Sequence, residues 1–327
     1  MTRTIQTARG ACTPQELGPT LPHEHLFCNL LQEHRAEGLL NDERLIIEEL
    51  ARFVAQGGRT VVDLTTAELT RGASPTASSD RWSDEGSRQP GNVEAIRRVS
   101  EVTGLNVVLG TGHYRDPYLD RQWFDRHDVD AIAERMIADI EVGFPGTDVR
   151  AGIIGEIGCD AWFTSAAEER SFRAAARAHL ATGVAIHTHA AHWPVGGLQL
   201  DLLESEGVDP SRVAVGHCDL VRVPGYALEI AERGAFVGID TIFVQRESEL
   251  AWRLSLITEL VEAGFADRVL LSHDVCLTGD LHANGGGGFG FVHGAFRDLL
   301  AESVPGFDDE LFRRFTVDNP RRLLAQE

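Results

Sequence analysis

The sequence predicts a (β/α)8 TIM barrel, an α/β fold in which residues 1–327 form one domain. Short apolar runs alternate with longer amphipathic stretches eight times along the chain. The short runs are apolar throughout, as in parallel strands buried on both faces. No Gly-x-Gly-x-x-Gly follows the first run, which weakens the doubly wound open sheet as an alternative. A length of 327 residues suits two ordinary domains or one large barrel, and no linker or low-complexity segment divides it.

The elements follow in order. The first strand carries Thr20-Leu21-Pro22-His23-Glu24-His25-Leu26. A helix is expected from Asn41 to Phe53, with Asn41 as N-cap and Leu45, Ile46, Leu50 and Phe53 as its apolar stripe. Gly57-Gly58 ends it, and Thr60 to Leu64 is the second strand. The polar stretch from Arg71 to Asn92, rich in Ser, Gly and Pro, reads as a long loop. A helix from Val93 to Val102 leads to a strand from Asn106 to Thr111. A helix from Asp128 to Val142 leads to a strand from Arg150 to Glu156. Helices at Ala167 to Ala181, Leu198 to Glu206, Tyr226 to Arg233 and Glu247 to Ala263 alternate with the next four strands. Those strands are Val184 to His189, Val213 to His217, Ala235 to Asp240 and Arg268 to Ser272. Helical stretches at Val292 to Leu300, at Asp308 to Phe315 and from Asn319 complete the chain.

Composition excludes several classes of function. Hydrophobic residues make up 43% and charged residues 24%, ordinary for a globular protein with a full core. A formal net charge of −20 argues against a nucleic-acid or anionic-membrane partner. A small-molecule substrate is the expected partner, and a homodimer is compatible with the sequence. Cys12, Cys28, Cys159, Cys218 and Cys276 are odd in number and scattered, with no Cys-x-x-Cys. Reduced thiols in a cytoplasmic protein are the simplest account. Met1 to Leu17 has no apolar targeting core, and no run approaches membrane-spanning length.

Chemistry is expected at the C-terminal ends of the strands. His23 and His25 share a face, because residues i and i+2 of a strand point the same way. Glu156 ends the fourth strand, His189 the fifth and His217 the sixth, and Asp274 follows the eighth. Four imidazoles and two carboxylates on five strands supply ligands for two divalent cations, with one carboxylate as bridge. His187 shares a face with His189 and is the alternative ligand there. His273 is expected to pack, and Cys218 reads as a core thiol. His113, Tyr114, Arg115 and Arg246 fall on strand ends or the loops beyond them and are candidates for substrate contact. The two arginines are suited to an anionic substrate, although ordinary solvated arginines are as common. Gly285 to Gly290 lacks the residues of a phosphate loop and reads as a flexible active-site loop.

These stretches resemble the phosphotriesterase-like family of the amidohydrolase superfamily, and in particular its homology-protein branch. The resemblance runs from Gly10 to about Leu324. It is carried by Leu21-Pro22-His23-Glu24-His25-Leu26, by Gly152-Ile153-Ile154-Gly155-Glu156-Ile157-Gly158, by the long segment Gly207 to Leu220, and by Ala283-Asn284-Gly285-Gly286. It implies that His23, His25 and Asp274 hold a buried α metal, that His189 and His217 hold a more exposed β metal, and that Glu156 bridges them. Phosphotriesterases and the related lactonases carry a carboxylated lysine at the bridge. The implied metals are two divalent ions, zinc by default, with manganese or cobalt as alternatives.

The implied activity is hydrolysis. A metal-bridging hydroxide attacks a carbonyl or phosphorus centre, and Asp274 carries the proton to the leaving group. A carboxylic ester of the lactone type or an amide leads, and a phosphotriester is the runner-up. A non-catalytic binding protein on the same barrel is the reading from another class, and its mark would be a lost ligand; none is lost. Departures from the family pattern bear on substrate. The outward Asp–His relay of phosphotriesterases falls on Leu220 and Thr241, neither of which relays a proton. Lactonases place an arginine where this chain has Thr241. Gly112-His113-Tyr114 stands where the branch tends to read Gly-Tyr-Tyr, and its Gly-Arg pair falls on Pro90-Gly91.

Overall fold

The structure is a computed structural model that describes residues 4–75, 86–159, 161–244 and 247–325. Eight parallel strands form one sheet in chain order: β1 (Thr20–Glu24), β2 (Thr60–Asp63), β3 (Asn106–Thr111), β4 (Ile153–Gly158), β5 (Ile186–His189), β6 (Val213–Val215), β7 (Phe236–Ile239) and β8 (Val269–Leu271). The last strand returns to the first. The Asp274 N–H donates to the His23 carbonyl at 3.1 Å, and the His25 N–H to the Val275 carbonyl at 3.2 Å. The Glu24 side chain, pointing opposite to its histidine neighbours, strengthens this seam. It accepts from the Ser272 hydroxyl and from the backbone N–H groups of His273 and Val275. A short hairpin, Ile5–Thr7 with Gly10–Cys12, precedes the barrel.

Helices α1 (Glu43–Ala55), α2 (Pro90–Thr103), α3 (Val129–Glu141), α4 (Ala166–Thr182), α5 (Gly196–Ser205), α6 (Tyr226–Glu232), α7 (Glu247–Glu262) and α8 (Arg297–Ser303) follow the strands. Their starts are chemically marked. Asp42, one residue after the expected Asn41, caps α1 by accepting from the Leu45 N–H at 3.0 Å. Asp128 caps α3, and Ser165 with Glu168 forms a reciprocal capping box on α4. Helix α2 begins at Pro90 rather than Val93, so the loop expected to run to Asn92 is shorter; proline is favoured at a first helical position. Residues 76–85 of that loop lie outside the described residues. After β8 the helical stretches contain π-helical turns at Val292–Phe296 and Arg314–Asp318.

Alternation along the strands sorts the core. Val61 and Val107 pack outward under the helices. Val62, Val108, Ile153, Ala214, Phe236 and Leu270 form a separate cluster inside the barrel with Leu17, Leu323 and Leu324. The lower interior is thus filled chiefly by apolar side chains, and the histidines and acidic residues of interest lie at the upper strand ends. Two register irregularities fall between Leu21 and Glu24 and between Ile154 and Ile157, beside the residues expected to bind metal. Such bulges re-aim a side chain out of strict alternation.

Candidate metal centre

The six residues expected as ligands converge. Oε1 of Glu156 lies 3.4 Å from Nε2 of His25. Its Oε2 lies 3.3 Å from Nε2 of His23, 2.9 Å from Nδ1 of His189 and 3.4 Å from Nε2 of His217. Oδ1 of Asp274 lies 3.2 Å from Nε2 of His25 and 3.7 Å from Nε2 of His23. His217 and Asp274 follow their strands in the left-handed backbone region, with φ of 59° and 54°. That conformation is uncommon outside glycine and costs on the order of 1–3 kcal/mol, so the surrounding structure must over-determine it. It turns both side chains back over the barrel mouth.

Two observations test whether these groups suit metal ions. His23 Nε2 is fully buried and, with Glu156 Oε2 3.3 Å away, makes no well-directed hydrogen bond among the described residues, which is costly for a polar atom left without a ligand. Donor atoms also cluster in threes within 4.8 Å: His23, His25 and Glu156 in one group, Glu156, His189 and His217 in another, His23, His217 and Asp274 in a third, and His23, His187 and Asp240 in a fourth. The first two groups share Glu156. Oxygen and imidazole donors of this kind fit divalent zinc, manganese or cobalt.

The electrostatics point the same way. Burial opposes ionisation of Glu156, yet the imidazoles of His189, His217 and His23 hold its carboxyl well below the usual range. Burial also disfavours charge on His23, but Asp240 beside it carries the imidazole up to about 10. His25 is raised to about 9 against the same penalty by Asp274 and Glu156. His189 is pushed down to about 4, chiefly by burial. The carboxylates demand positive charge at this spot, and imidazolium supplies it where no cation does.

Asp240, just past β7, was not among the expected site residues. It is fully buried, and its Oδ2 lies 2.9 Å from Nδ1 of His23 while its Oδ1 lies 3.0 Å from Nδ1 of His217. It also accepts from the His217 N–H at 2.8 Å. A single carboxylate thereby fixes the tautomer and tilt of one imidazole from each Glu156 group, leaving Nε2 of both for a metal. Thr65 does the same for His25, its hydroxyl 2.9 Å from Nδ1. His187 lies behind this layer, its Nε2 3.7 Å from Asp240 and its ring 4.7 Å from that of His23. It belongs to neither group containing Glu156, whereas His189 does. His273 is packed, its Nδ1 2.7 Å from Glu24 while Nε2 accepts from the Val292 N–H.

A cavity of about 520 Å³ opens above the cluster and is lined by His189, His217, Asp274, Tyr114, Arg115 and Leu220, among others. Asp274 is 17% exposed and is the more accessible of the two carboxylates, Glu156 being 2% exposed. Tyr114 brings its hydroxyl within 3.3 Å of Nδ1 of His189. The expectation for His113 is corrected. Its ring turns away from the cavity, stacks on Trp123 and places Nδ1 2.6 Å from Oε1 of buried Glu68. The Glu68 carboxylate and the Trp123 ring hold the His113 imidazole on the far side of this turn, and its neighbours Tyr114 and Arg115 line the cavity instead. Arg246 lies outside the described residues.

The relay positions are occupied by other chemistry. Leu220 is an apolar part of the cavity wall. The Thr241 hydroxyl donates to Asp219 at 2.6 Å, and buried Arg253 bonds to both. The glycine-rich loop is held rather than loose. Buried Glu49 of α1 accepts from the N–H groups of His282 and Ala283, at 2.9 and 2.8 Å. Gly288, at φ +57°, passes so close to that carboxylate that a Cβ would collide with it. The loop is docked on α1 and does not line the cavity.

Buried imidazoles and carboxylates paired in this way at the C-terminal mouth of a (β/α)8 barrel define a metal-dependent hydrolase. The chain belongs to the Phosphotriesterase family, whose sequence model matches residues 3–79 and 87–324. It is 34% identical to the phosphotriesterase homology protein of Escherichia coli strain K12 over 287 residues, covering 88% of this chain and 91% of that one. It is 31% identical to the aryldialkylphosphatase of Saccharolobus solfataricus, covering 81% of this chain and 79% of the other. A lactonase from Listeria monocytogenes superposes with a TM-score of 0.84 at 26% identity, over 98% of this chain and 99% of that one. Among the described residues no helix is long and apolar enough to cross a membrane.

Proposed function

We propose that this chain hydrolyses a small carboxylic ester of the lactone type or an amide. His23, His25 and Asp274 would hold one divalent ion, His189 and His217 a second, and Glu156 both, with zinc as the default metal. The observation that carries the reading is the reach of Glu156: one carboxylate touches donor atoms from β1, β5 and the turn after β6. Divalent ions at such a site supply a nucleophile at neutral pH and polarise the oxygen of the bond being cut.

The protein's own groups do the rest. Asp240 and Thr65 hold the imidazoles in one tautomer. Asp274, exposed to the cavity, is placed to take a proton at its carboxylate and return it to the leaving group. Tyr114 forms the wall beside His189, where its hydroxyl can donate to a substrate oxygen. The apolar Leu220 and the committed Thr241 leave no side-chain path from Asp274 toward bulk water by the outward relay. Delivery to the leaving group is then the productive use of that proton, which favours alkoxide and amine leaving groups.

The similarity to a lactonase supports the ester reading, and the similarity to an aryldialkylphosphatase keeps a phosphotriester as the second. The test is a screen of the zinc-loaded protein against γ- and δ-lactones, N-acyl amino acids and paraoxon. Turnover of a lactone or an amide bears the proposal out. Turnover of paraoxon alone replaces it with the second reading.

A further inference from the structure

We propose that Arg115 recognises an anionic group on the substrate, remote from the bond that is cut, and that Glu33 is the internal anion this group displaces. The inference rests on the hydrolase reading above and narrows its substrate class. The chain contains no lysine and carries a net charge of −20, and Arg115 is the one arginine among the described residues lining the active-site cavity. A cation in that position needs a reason.

The guanidinium is held rigidly. Its Cζ lies 5.1 Å from the ring centre of Tyr114 and 5.2 Å from that of Tyr118, and its side chain is 12% exposed. Cation–π contact on two rings fixes a planar fork suited to a carboxylate or a similar anion. Tyr114 also ties Arg115 to the reacting end of the cavity. Its ring centre is 4.9 Å from that of His189, so the guanidinium lies within about 10 Å of a candidate ligand. A small molecule with its anion a few bonds from the scissile carbonyl spans that distance.

Glu33 is the more releasable partner. It sits on the short helix Leu31–His34 in the loop after β1, and its side chain is 32% exposed, against 12% for Arg115. Burial works against its charge, but Arg115 and the Tyr118 hydroxyl, 3.0 Å away, keep it ionised. Exchanging Glu33 for a substrate anion leaves the guanidinium paired throughout, while Glu33 is rehydrated at the surface. A substrate whose remote end is neutral offers nothing in exchange.

The test uses two esters of similar length on the zinc-loaded protein, anionic 4-nitrophenyl hydrogen glutarate and neutral 4-nitrophenyl butyrate. Arg115→Leu is expected to raise KM for the glutarate ester at least ~10-fold more than KM for the butyrate ester, the scale of one lost charge-assisted bond. Glu33→Gln is expected to lower KM for the glutarate ester, because the competing charge is gone. Equal effects of Arg115→Leu on both esters, or a higher glutarate KM in Glu33→Gln, overturns the proposal. Glutarate itself supplies a readout without turnover. It should raise the melting temperature of wild type and of Glu33→Gln more than that of Arg115→Leu. If neither ester is cleaved but that difference appears, the anion site stands, and the screen of lactones, N-acyl amino acids and paraoxon decides the hydrolase reading. If the difference is absent, the anion site fails.

Discussion

Oδ2 of Asp240 lies 2.9 Å from Nδ1 of His23, and the other oxygen of the same carboxylate reaches Nδ1 of His217 at 3.0 Å. One buried side chain therefore orients an imidazole on each side of Glu156. Asp240→Asn keeps the shape but offers one acceptor where two are needed. Metal affinity is expected to fall about 10–100-fold, the usual cost of losing such an outer partner. Competition with a chromogenic chelator measures it. Unchanged affinity would remove Asp240 from the centre.

That Asp240 was missed in the sequence shows what strand ends can and cannot tell. The rule that found His23, Glu156, His189, His217 and Asp274 applies equally to the residue after β7, but a lone aspartate there has no histidine beside it to draw attention. Only the fold shows both of its oxygens facing imidazoles from different strands. His113 failed for the opposite reason: its type suited a site, but it is its neighbour Tyr114 that faces the cavity. The barrel itself was legible because eight apolar runs recur at the right spacing. The start of α2 at Pro90 was legible too, from proline's preference for a first turn, but the polar composition before it outweighed that signal. The docked glycine loop depends on Glu49, some 230 residues away in sequence, and no local pattern reveals it.

Metal uptake should release protons. In the metal-free protein His23 at about 10 and His25 at about 9 are both protonated at pH 7, and a cation must expel those protons to bind. Zinc addition in weak buffer with a pH indicator is expected to release at least those two protons per chain. The same shifts set a sign for stability. Both pKa values lie above the unfolded value near 6.5, so their contribution is complete below about pH 6.5 and is lost as pH rises through 9 to 10. The melting temperature of metal-free protein should fall across that window. A flat profile together with proton-neutral zinc binding would show that the imidazoles are neutral beforehand.

Glu156→Gln removes the charge that, in the proposed site, would offset repulsion between two cations. It is expected to lose one metal or to bind both weakly, with activity down by orders of magnitude. Glu156→Lys is a more pointed variant, because it would place the only lysine in the chain at the bridge. If that lysine carboxylates, labelled bicarbonate should give a carbamate carbon signal that the wild type lacks and that requires metal. A Gln variant with two metals and near-normal turnover would exclude Glu156 as the bridge.

Leaving-group chemistry separates the two substrate readings. Paraoxon has a good leaving group and needs little acid assistance, whereas lactones and amides need a proton delivered. The best ester or amide is expected to exceed paraoxon at least ~100-fold in kcat/KM, about 2.7 kcal/mol of transition-state preference. Asp274→Asn should abolish ester or amide hydrolysis more completely than any phosphotriester activity. A variant that loses both activities in the same proportion would argue against proton delivery by Asp274.

The most direct test of the central claim is elemental analysis of extensively dialysed protein, with the melting temperature recorded before and after chelation and zinc return. Two divalent ions per chain are expected, together with a drop in melting temperature on their removal and its recovery with activity when zinc returns. Dialysed protein that holds no transition metal, and that gains neither thermal stability nor hydrolytic activity from added zinc, would contradict it.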